Sequence, residues 1–316
     1  MICDKVHGSF SPWITVAICT HNRRDQLALT LAALQALEAP VCDWEVLVID
    51  NASSDGTASF LAGYDWRSRA PLRFLREERL GVAFARNRAV QEGRGEYVLF
   101  LDDDETPDAK WLVAFAQALF DGEPDAAGGR IEVLFFGAEK PQWLTDELLG
   151  FLGKLDHGPL PIRLTCESQK IFTGNAAFRR SAVLALGLFD TTLGRRGRVN
   201  SGGEDVDLFV RLLRAGRNVL WVPNAVIYHR IEAPKLRRRY FLELHYRQGR
   251  MQGHRARGSA ARIPPLYLLP QLSRSIVAAV AQRWRQGYHS ALRKDMNVAY
   301  FAGFIAGWAA GDDSAA

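Results

Sequence analysis

The chain has 316 residues, of which 48% are hydrophobic and 24% charged, with a formal net charge of +5 and no low-complexity tract or internal repeat. That length suits one large domain with an appendage, and the composition excludes a disordered or fibrous protein. The basic excess is concentrated: from Lys235 to Arg262 nine Lys or Arg stand against Glu243 alone, a patch compatible with nucleic acid, an anionic membrane or a phosphorylated substrate.

Cys3, Cys19, Cys42 and Cys166 are scattered without a Cys-x-x-Cys pair, and the opening Met-Ile-Cys-Asp-Lys lacks a charged-then-apolar leader pattern, so a reducing cytoplasm is expected. No stretch reaches the roughly 18 to 20 apolar residues that cross a bilayer. The longest, Val298 to Ala310, has thirteen residues with two glycines and predicts a buried or interfacial helix.

Through the first hundred residues, apolar runs of strand length alternate with helical patterns, the rhythm of a parallel sheet covered by helices. Thr15 to Cys19 predicts the first strand, and Leu27, Leu31, Leu34 and Leu37 recur at helical spacing before Pro40. Glu45 to Ile49 predicts a second strand, Ser53 or Ser54 a cap on a short helix, Arg73 to Leu75 a weak third strand and Gly81 to Gly93 an alanine-rich helix. Tyr97-Val-Leu-Phe-Leu101 predicts a central strand buried on both faces. It runs directly into Asp102-Asp103-Asp104-Glu105, with a helix start expected near Pro107 and helical residues from Trp111 to Phe120. Arg130 to Phe135 predicts another strand, Pro141 to Pro161 loops and short helices near a binding face, and Asp205 to Ala215 a helix closed by Gly216. Two short strands follow, Val219 to Val222 and Ala225 to Tyr228, and the chain turns basic and helical after Pro234. The domain organisation expected is therefore 1–232 and a basic helical extension, 233–316.

Carboxylates at the carboxyl end of a buried parallel strand stand where open α/β sheets bind ligands. Three adjacent acids repel one another unless a cation neutralises them. In a loop, Asp102 and Asp104 can converge on one hard divalent ion beside a diphosphate, Mg²⁺ or Mn²⁺, while Asp103 points elsewhere. The alternative is a solvated acidic turn that caps the next helix. Asp50 follows the second strand as Asp102 follows a later one, so both belong to one sheet edge, where Asp50 either shapes a turn with Asn51 or accepts hydrogen bonds from a base or ribose. Thr20-His21-Asn22-Arg23 leaves the first strand for a helix and brings backbone N–H groups to the same edge. Glu204 and Asp205 open a helix, as dipole partners or with one of them as a general base. His229 ends a strand, as a structural residue or a Mn²⁺ ligand.

Taken together, these segments resemble the family 2 glycosyltransferases. The resemblance rests on Ala17-Ile-Cys-Thr-His-Asn-Arg23, Val48-Ile-Asp-Asn-Ala-Ser-Ser-Asp-Gly56, Gly81-Val-Ala-Phe-Ala-Arg-Asn-Arg88, Gly95-Glu-Tyr-Val-Leu-Phe-Leu-Asp-Asp-Asp104, Gly203-Glu-Asp-Val-Asp-Leu208 and then His229, in order across residues 13 to 232. It implies the GT-A fold, a Rossmann-like α/β sheet, mostly parallel and flanked by helices, here with a C-terminal helical extension. It implies that Thr20, Asn22 and Asp50 hold base and ribose, with Arg86 near nucleotide and sugar. Asp102 and Asp104 match the outer acids of the Asp-x-Asp motif, Asp104 being the direct metal contact and His229 completing the coordination of Mn²⁺ or Mg²⁺. Asp103 as the middle residue leaves open whether it or Asp102 meets the ribose. Asp205 matches the catalytic base and Glu204 its acceptor-side neighbour, and Thr173-Gly174-Asn175 resembles the segment beside the donor sugar.

The activity so implied is inverting transfer from a nucleotide-diphosphate sugar, a UDP-sugar first, to a glycan or lipid-linked acceptor. Residues 141–158 are similar to a stretch of bacterial surface-polysaccharide enzymes of that family, and the basic extension with 298–310 suits peripheral contact with the inner face of an anionic membrane. Its helices would otherwise pack on the catalytic domain with a solvated basic face. Nucleic acid is the disfavoured partner. No Gly-x-Gly-x-x-Gly follows the first strand, and neither a phosphate loop nor a Gly-x-Ser-x-Gly elbow occurs, which disfavours hydride transfer, phosphate-loop and serine-hydrolase chemistry. A nucleotidyltransferase would leave Glu204-Asp205 unexplained, and a non-catalytic nucleotide-sugar or glycan-binding partner of a synthase would be expected to lack one of Asp104, Asp205 and His229.

Overall fold

The structure, a computed structural model, describes residues 13–196, 199–258, 266–287 and 289–310. Cys3 and Arg262 lie outside them. The chain divides into two compact units, one of residues up to 134 together with 153–230, the other of 135–152 together with the chain from 231 onward.

The first unit is built on strands β1 (Ile14–Thr20), β2 (Trp44–Asn51), β3 (Leu72–Glu77), β4 (Tyr97–Leu101), β5 (Glu105–Pro107), β6 (Ala126–Phe135), β7 (Ile162–Arg163), β8 (Asn175–Arg179), the hairpin of β9 (Gly194–Arg196) and β10 (Val199–Ser201), and β11 (Val219–Ile231). Among the described residues the main sheet has nine strands, ordered β3-β2-β1-β4-β8-β6-β11-β5, with β7 on β11. Strands β3, β2, β1 and β4 pair in parallel, and β8 joins β4 antiparallel. The helices are α1 (Arg24–Gln35), α2 (Thr57–Ala62), α3 (Val82–Glu92), α4 (Trp111–Gly122), α5 (Arg180–Ala185) and α6 (Glu204–Arg214). The central strands are apolar on both faces because helices cover both: every residue of β2 and of β4 is buried. Leu27, Leu31 and Leu34 of α1 and Ala83, Ala85 and Ala89 of α3 fill the same core.

Three expectations are corrected. No helix starts near Pro107; Glu105, Thr106 and Pro107 form β5 and pair antiparallel with His229, Tyr228 and Ile227, and the helix waits for Trp111. That register brings His229 opposite Glu105, one residue from Asp104. The two short strands expected from 219 to 228 are one strand; Pro223 falls between the residues that pair with β7 and those that pair with β5, so its missing N–H interrupts neither of those two pairings. Neither Ser53 nor Ser54 caps α2: it follows Gly56, and the Asp55 carboxylate accepts the Thr57 N–H at 3.1 Å.

The second unit holds the 3₁₀ turn Asp146–Leu152 and helices α7 (Arg238–Gly258), α8 (Leu269–Gln286) and α9 (Leu292–Ala310). Segment 135–152 joins it through Trp143, whose ring meets Phe241 edge-on at 5.7 Å, and Phe151, which meets His245 at 4.7 Å. Helices α7 and α9 touch backbone to backbone. A Cβ at Gly249 would lie 2.0 Å from the Tyr300 carbonyl oxygen, at Gly253 2.1 Å from that of Phe304, at Gly303 2.0 Å from that of Tyr246, and at Gly307 2.0 Å from that of Arg250. Only glycine permits that approach. The apolar run 298–310 is therefore set against α7 along its glycine side. No helix of the described residues is long and apolar enough to cross a membrane.

Candidate active site

Parallel strands β1, β2 and β4 end on one edge. Thr20 lies beside Asp50 in register, and β4 stops at Leu101, directly before Asp102. Thr20 Oγ1 donates to Asp103 Oδ2 at 2.7 Å, while Arg23 donates from Nη1 to Asp103 Oδ1 at 2.6 Å and from Nη2 to Asp104 Oδ2 at 3.0 Å. The three acids thus face different ways: the Asp103 side chain is 5% exposed, Asp104 11% and Asp102 45%, leaving Asp102 the one open to solvent. Burial pushes the Asp103 carboxyl up to about 6, opposed by Arg23 and helped by the charge of Asp104.

The backbone of this acidic turn is fixed by Arg230 of β11, which is 2% exposed and donates to the carbonyl oxygens of Asp103 at 2.9 Å and Glu105 at 2.8 Å, and to Thr30 Oγ1 at 2.8 Å. Thr30 Oγ1 donates to the same two carbonyls. Glu105 accepts the Asp102 N–H at 2.9 Å, and its carboxyl is held well above the usual range, first by burial and then by the charges of Asp102 and Asp104. Gly174 closes the other side. A Cβ there would lie 2.6 Å from Glu105 Oε1 and 2.9 Å from Asp102 Oδ2, so any larger residue would have to push these carboxylates aside. The neighbouring Thr173 hydroxyl is buried with no hydrogen-bond partner among the described residues.

His229 Nε2 lies 3.4 Å from Asp104 Oδ2. Two ligand atoms at right angles about one Mn²⁺ or Mg²⁺ stand roughly 3 Å apart, so this pair fits a divalent ion. The guanidinium of Arg23 supplies positive charge at the same Asp104 oxygen. Among the described residues no three of His, Cys, Asp and Glu gather about one point, so Asp102 is not brought to the Asp104–His229 pair.

Asp102 turns instead to Arg86, at 3.5 Å from Nη2. Arg86, 6% exposed on α3, pairs through Nη1 with Glu204 Oε1 at 2.5 Å, and its guanidinium lies over the Phe189 ring, 5.8 Å from the centroid. One arginine thus links the acidic turn to the start of α6. Glu204 Oε2 is buried with no hydrogen-bond partner among the described residues. Asp205, next along, accepts the Val206 N–H at 2.8 Å, and its pKa is raised by burial and by Glu204, against the pull of Arg86. The Cys19 thiol in this region is pushed up to about 12 by burial, which keeps it an unreactive thiol.

Asp50 and Asn22 lie on the same edge and are tied into its loops. Asp50 accepts the Ser53 N–H at 3.0 Å and Arg76 Nη1 at 3.0 Å. Asn22, at φ +52°, accepts the Ser54 N–H at 2.7 Å through Oδ1, binding the β1 exit to the β2 exit. Asn175 is not brought to the cluster: its amide accepts Trp111 Nε1 at 2.7 Å and donates to the carbonyls of Arg130 at 2.8 Å and Ala225 at 2.9 Å, a buried brace behind Gly174. The residues missed from sequence are Arg23, Glu105 and Arg230. Arg230 carried a signal, since a cation inside an otherwise apolar strand must be paired if it is buried.

The family model "Glycosyl transferase family 2" matches residues 15–187. The chain is 27% identical over 242 residues to the succinoglycan biosynthesis protein ExoM of Rhizobium meliloti (strain 1021), covering 76% of this chain and 74% of that one. It is 25% identical to the glucosyl-dolichyl phosphate glucuronosyltransferase of Haloferax volcanii over 49% of each chain, so it spans about half the length of that relative. Among solved structures it resembles the mannosyltransferase PcManGT from Pyrobaculum calidifontis, in complex with GDP-Man and Mn²⁺, with TM-score 0.60 at 19% identity over 95% of this chain and 88% of that one. It also resembles residues 1–349 of TarS from S. aureus, with TM-score 0.52 at 16% identity over 92% and 90%. These structural likenesses are likenesses of fold, and the fold is GT-A. Since the family model spans more than half of the chain, this protein belongs to glycosyl transferase family 2.

Proposed function

We propose that this glycosyltransferase moves a sugar from a nucleoside diphosphate sugar, a UDP-sugar first, to a hydroxyl of a glycan or lipid-linked saccharide in cell-surface polysaccharide synthesis, with inversion at the anomeric carbon. The observation that supports the reading is Arg86, which contacts both Asp102 of the acidic turn and Glu204 at the α6 start. ExoM, named for succinoglycan biosynthesis, supports the polysaccharide assignment. The donor would lie along the ends of β1, β2 and β4, with Thr20, Asn22 and Asp50 toward base and ribose, Asp102 or Asp103 toward ribose, and Arg86, Gly174 and Asn175 lining or bracing the sugar side. Asp104 and His229 would hold Mn²⁺ or Mg²⁺, which when bound offsets the charge of the departing diphosphate.

Asp205 is assigned as the general base. It takes the acceptor hydroxyl's proton as that oxygen bonds to the anomeric carbon and the bond to the diphosphate breaks, so the nucleoside diphosphate leaves with the electron pair. Its raised pKa suits the role, because a stronger base accepts the proton more readily. Catalysis is assigned to 1–232 and a separate role to 233–316, and the enzyme would act in the cytoplasm at the inner face of the membrane. Asp205→Asn should lower kcat by about a thousandfold with donor Kd unchanged by calorimetry. The acid limb of wild-type kcat should fall off at a pH above that of an ordinary aspartate, since only the deprotonated base works. Near-normal turnover of Asp205→Asn would refute the assignment.

A further inference from the structure

Among the described residues, one side of α8 in the second unit is uncovered. α8 packs inward through Ala279, while Leu269, Ile276, Val277, Val280 and Trp284 recur at helical spacing on one stripe and are 49%, 44%, 67%, 57% and 92% exposed. At 100° per residue Arg283 borders this stripe on one side and Arg274 and Arg285 on the other, and α8 contains no acid. Arg283 is anchored on Asp295 at 2.6 Å, and Asp295 also pairs with Arg238 at 3.0 Å. From 231 to 316 there are fourteen Lys or Arg against five Asp or Glu. The more apolar run, 298–310, lies on α9, where Gly303 and Gly307 meet the backbone of α7.

Charge decides what covers the stripe. A second copy would set two basic, acid-free faces against each other, and a nucleic acid would pair with the arginines while leaving five apolar side chains wet. An anionic bilayer satisfies both: aliphatic side chains enter the acyl boundary, tryptophan sits at headgroup level, and arginine stems reach the phosphates. We propose that α8 docks this protein on the surface of an anionic lipid bilayer through Leu269, Ile276, Val277, Val280 and Trp284. The proposal deepens the membrane-side part of the function proposed above and requires no transferase activity.

The test is cosedimentation of the full chain with vesicles of phosphatidylcholine alone and with about one-third phosphatidylglycerol, with nucleotide-sugar hydrolysis and solution mass measured on the same samples. Wild type should pellet with the anionic vesicles about tenfold more strongly than with the neutral ones. Trp284→Glu and Val280→Glu should each lose about tenfold of that binding at unchanged melting temperature. The double change Arg274→Glu and Arg285→Glu, which leaves the stripe intact, should abolish the preference for anionic vesicles. Wild type remaining in the supernatant, variants that pellet like wild type, or a dimer that Trp284→Glu dissociates would each overturn docking by α8. Vesicle binding lost with hydrolysis retained would sink the docking face and spare the transferase reading; binding without hydrolysis of any nucleotide sugar would do the reverse.

Discussion

The acidic edge of the sheet and the α7–α9 helix pair pack by opposite means. At the edge, Arg23, Arg86 and Arg230 stand between Asp102, Asp103, Asp104 and Glu204 or fasten the backbone that carries them, so charge is held by opposite charge. Between α7 and α9 there is no side chain at the closest points, and glycines bring backbone to backbone. A cluster of paired charges can exchange one partner for a ligand, since a nucleotide or a cation replaces what it displaces. A glycine contact has nothing to exchange, and serves only to hold the two helices together. The edge therefore has the properties of a site, and the helix pair those of a scaffold.

Substitutions at each place sharpen that contrast. Arg86→Ala leaves Glu204 buried without its cation and should destabilise the protein by about 3–5 kcal/mol, with a large rise in donor KM; thermal unfolding that matches wild type would show that the pair carries no such weight. Gly307→Ala adds only one methyl, yet puts it 2.0 Å from the Arg250 carbonyl oxygen, and should cost about 1–3 kcal/mol in a denaturant titration while leaving donor hydrolysis intact. A neutral result would mean the helices separate without penalty. Arg23→Ala has the smallest expected effect. With the competing guanidinium gone from Asp104 and its side chain 35% exposed, Mn²⁺ should bind nucleotide-free protein roughly two- to fivefold more tightly by calorimetry, and an unchanged affinity would exclude competition.

Much of the edge was legible in the sequence because strand ends obey topology: once the apolar runs before Thr20, Asp50 and Asp102 are strands of one parallel sheet, those residues share an edge whatever lies between them. Helix α6 was legible from the acids of its first turn, its apolar periodicity and Gly216 just past its end. Other features depend on contacts distant in sequence. Arg230 meets Thr30 across two hundred residues, and His229 reaches Asp104 only because β5 is a strand, paired in one particular register with β11. Asn175, directly after Gly174, points the other way and braces the core, a difference of one position at the start of β8 that a motif does not resolve. In the second unit hydropathy singled out α9, but Gly303 and Gly307 set that helix against α7 with the large apolar residues of its run 298–310 half-buried, while α8, less apolar as a whole, carries the exposed stripe.

The most direct test of the central claim is a panel of UDP-, GDP- and dTDP-sugars, each with Mn²⁺, Mg²⁺ or chelator, assayed by hydrolysis and thermal shift on wild type and Asp104→Ala. The account expects one nucleotide class, UDP first, to stabilise the wild type and to be hydrolysed only with divalent metal, and both responses to weaken in Asp104→Ala. Wild-type protein that neither binds nor hydrolyses any nucleotide sugar with either metal, or an Asp104→Ala variant that responds as wild type does, would contradict it.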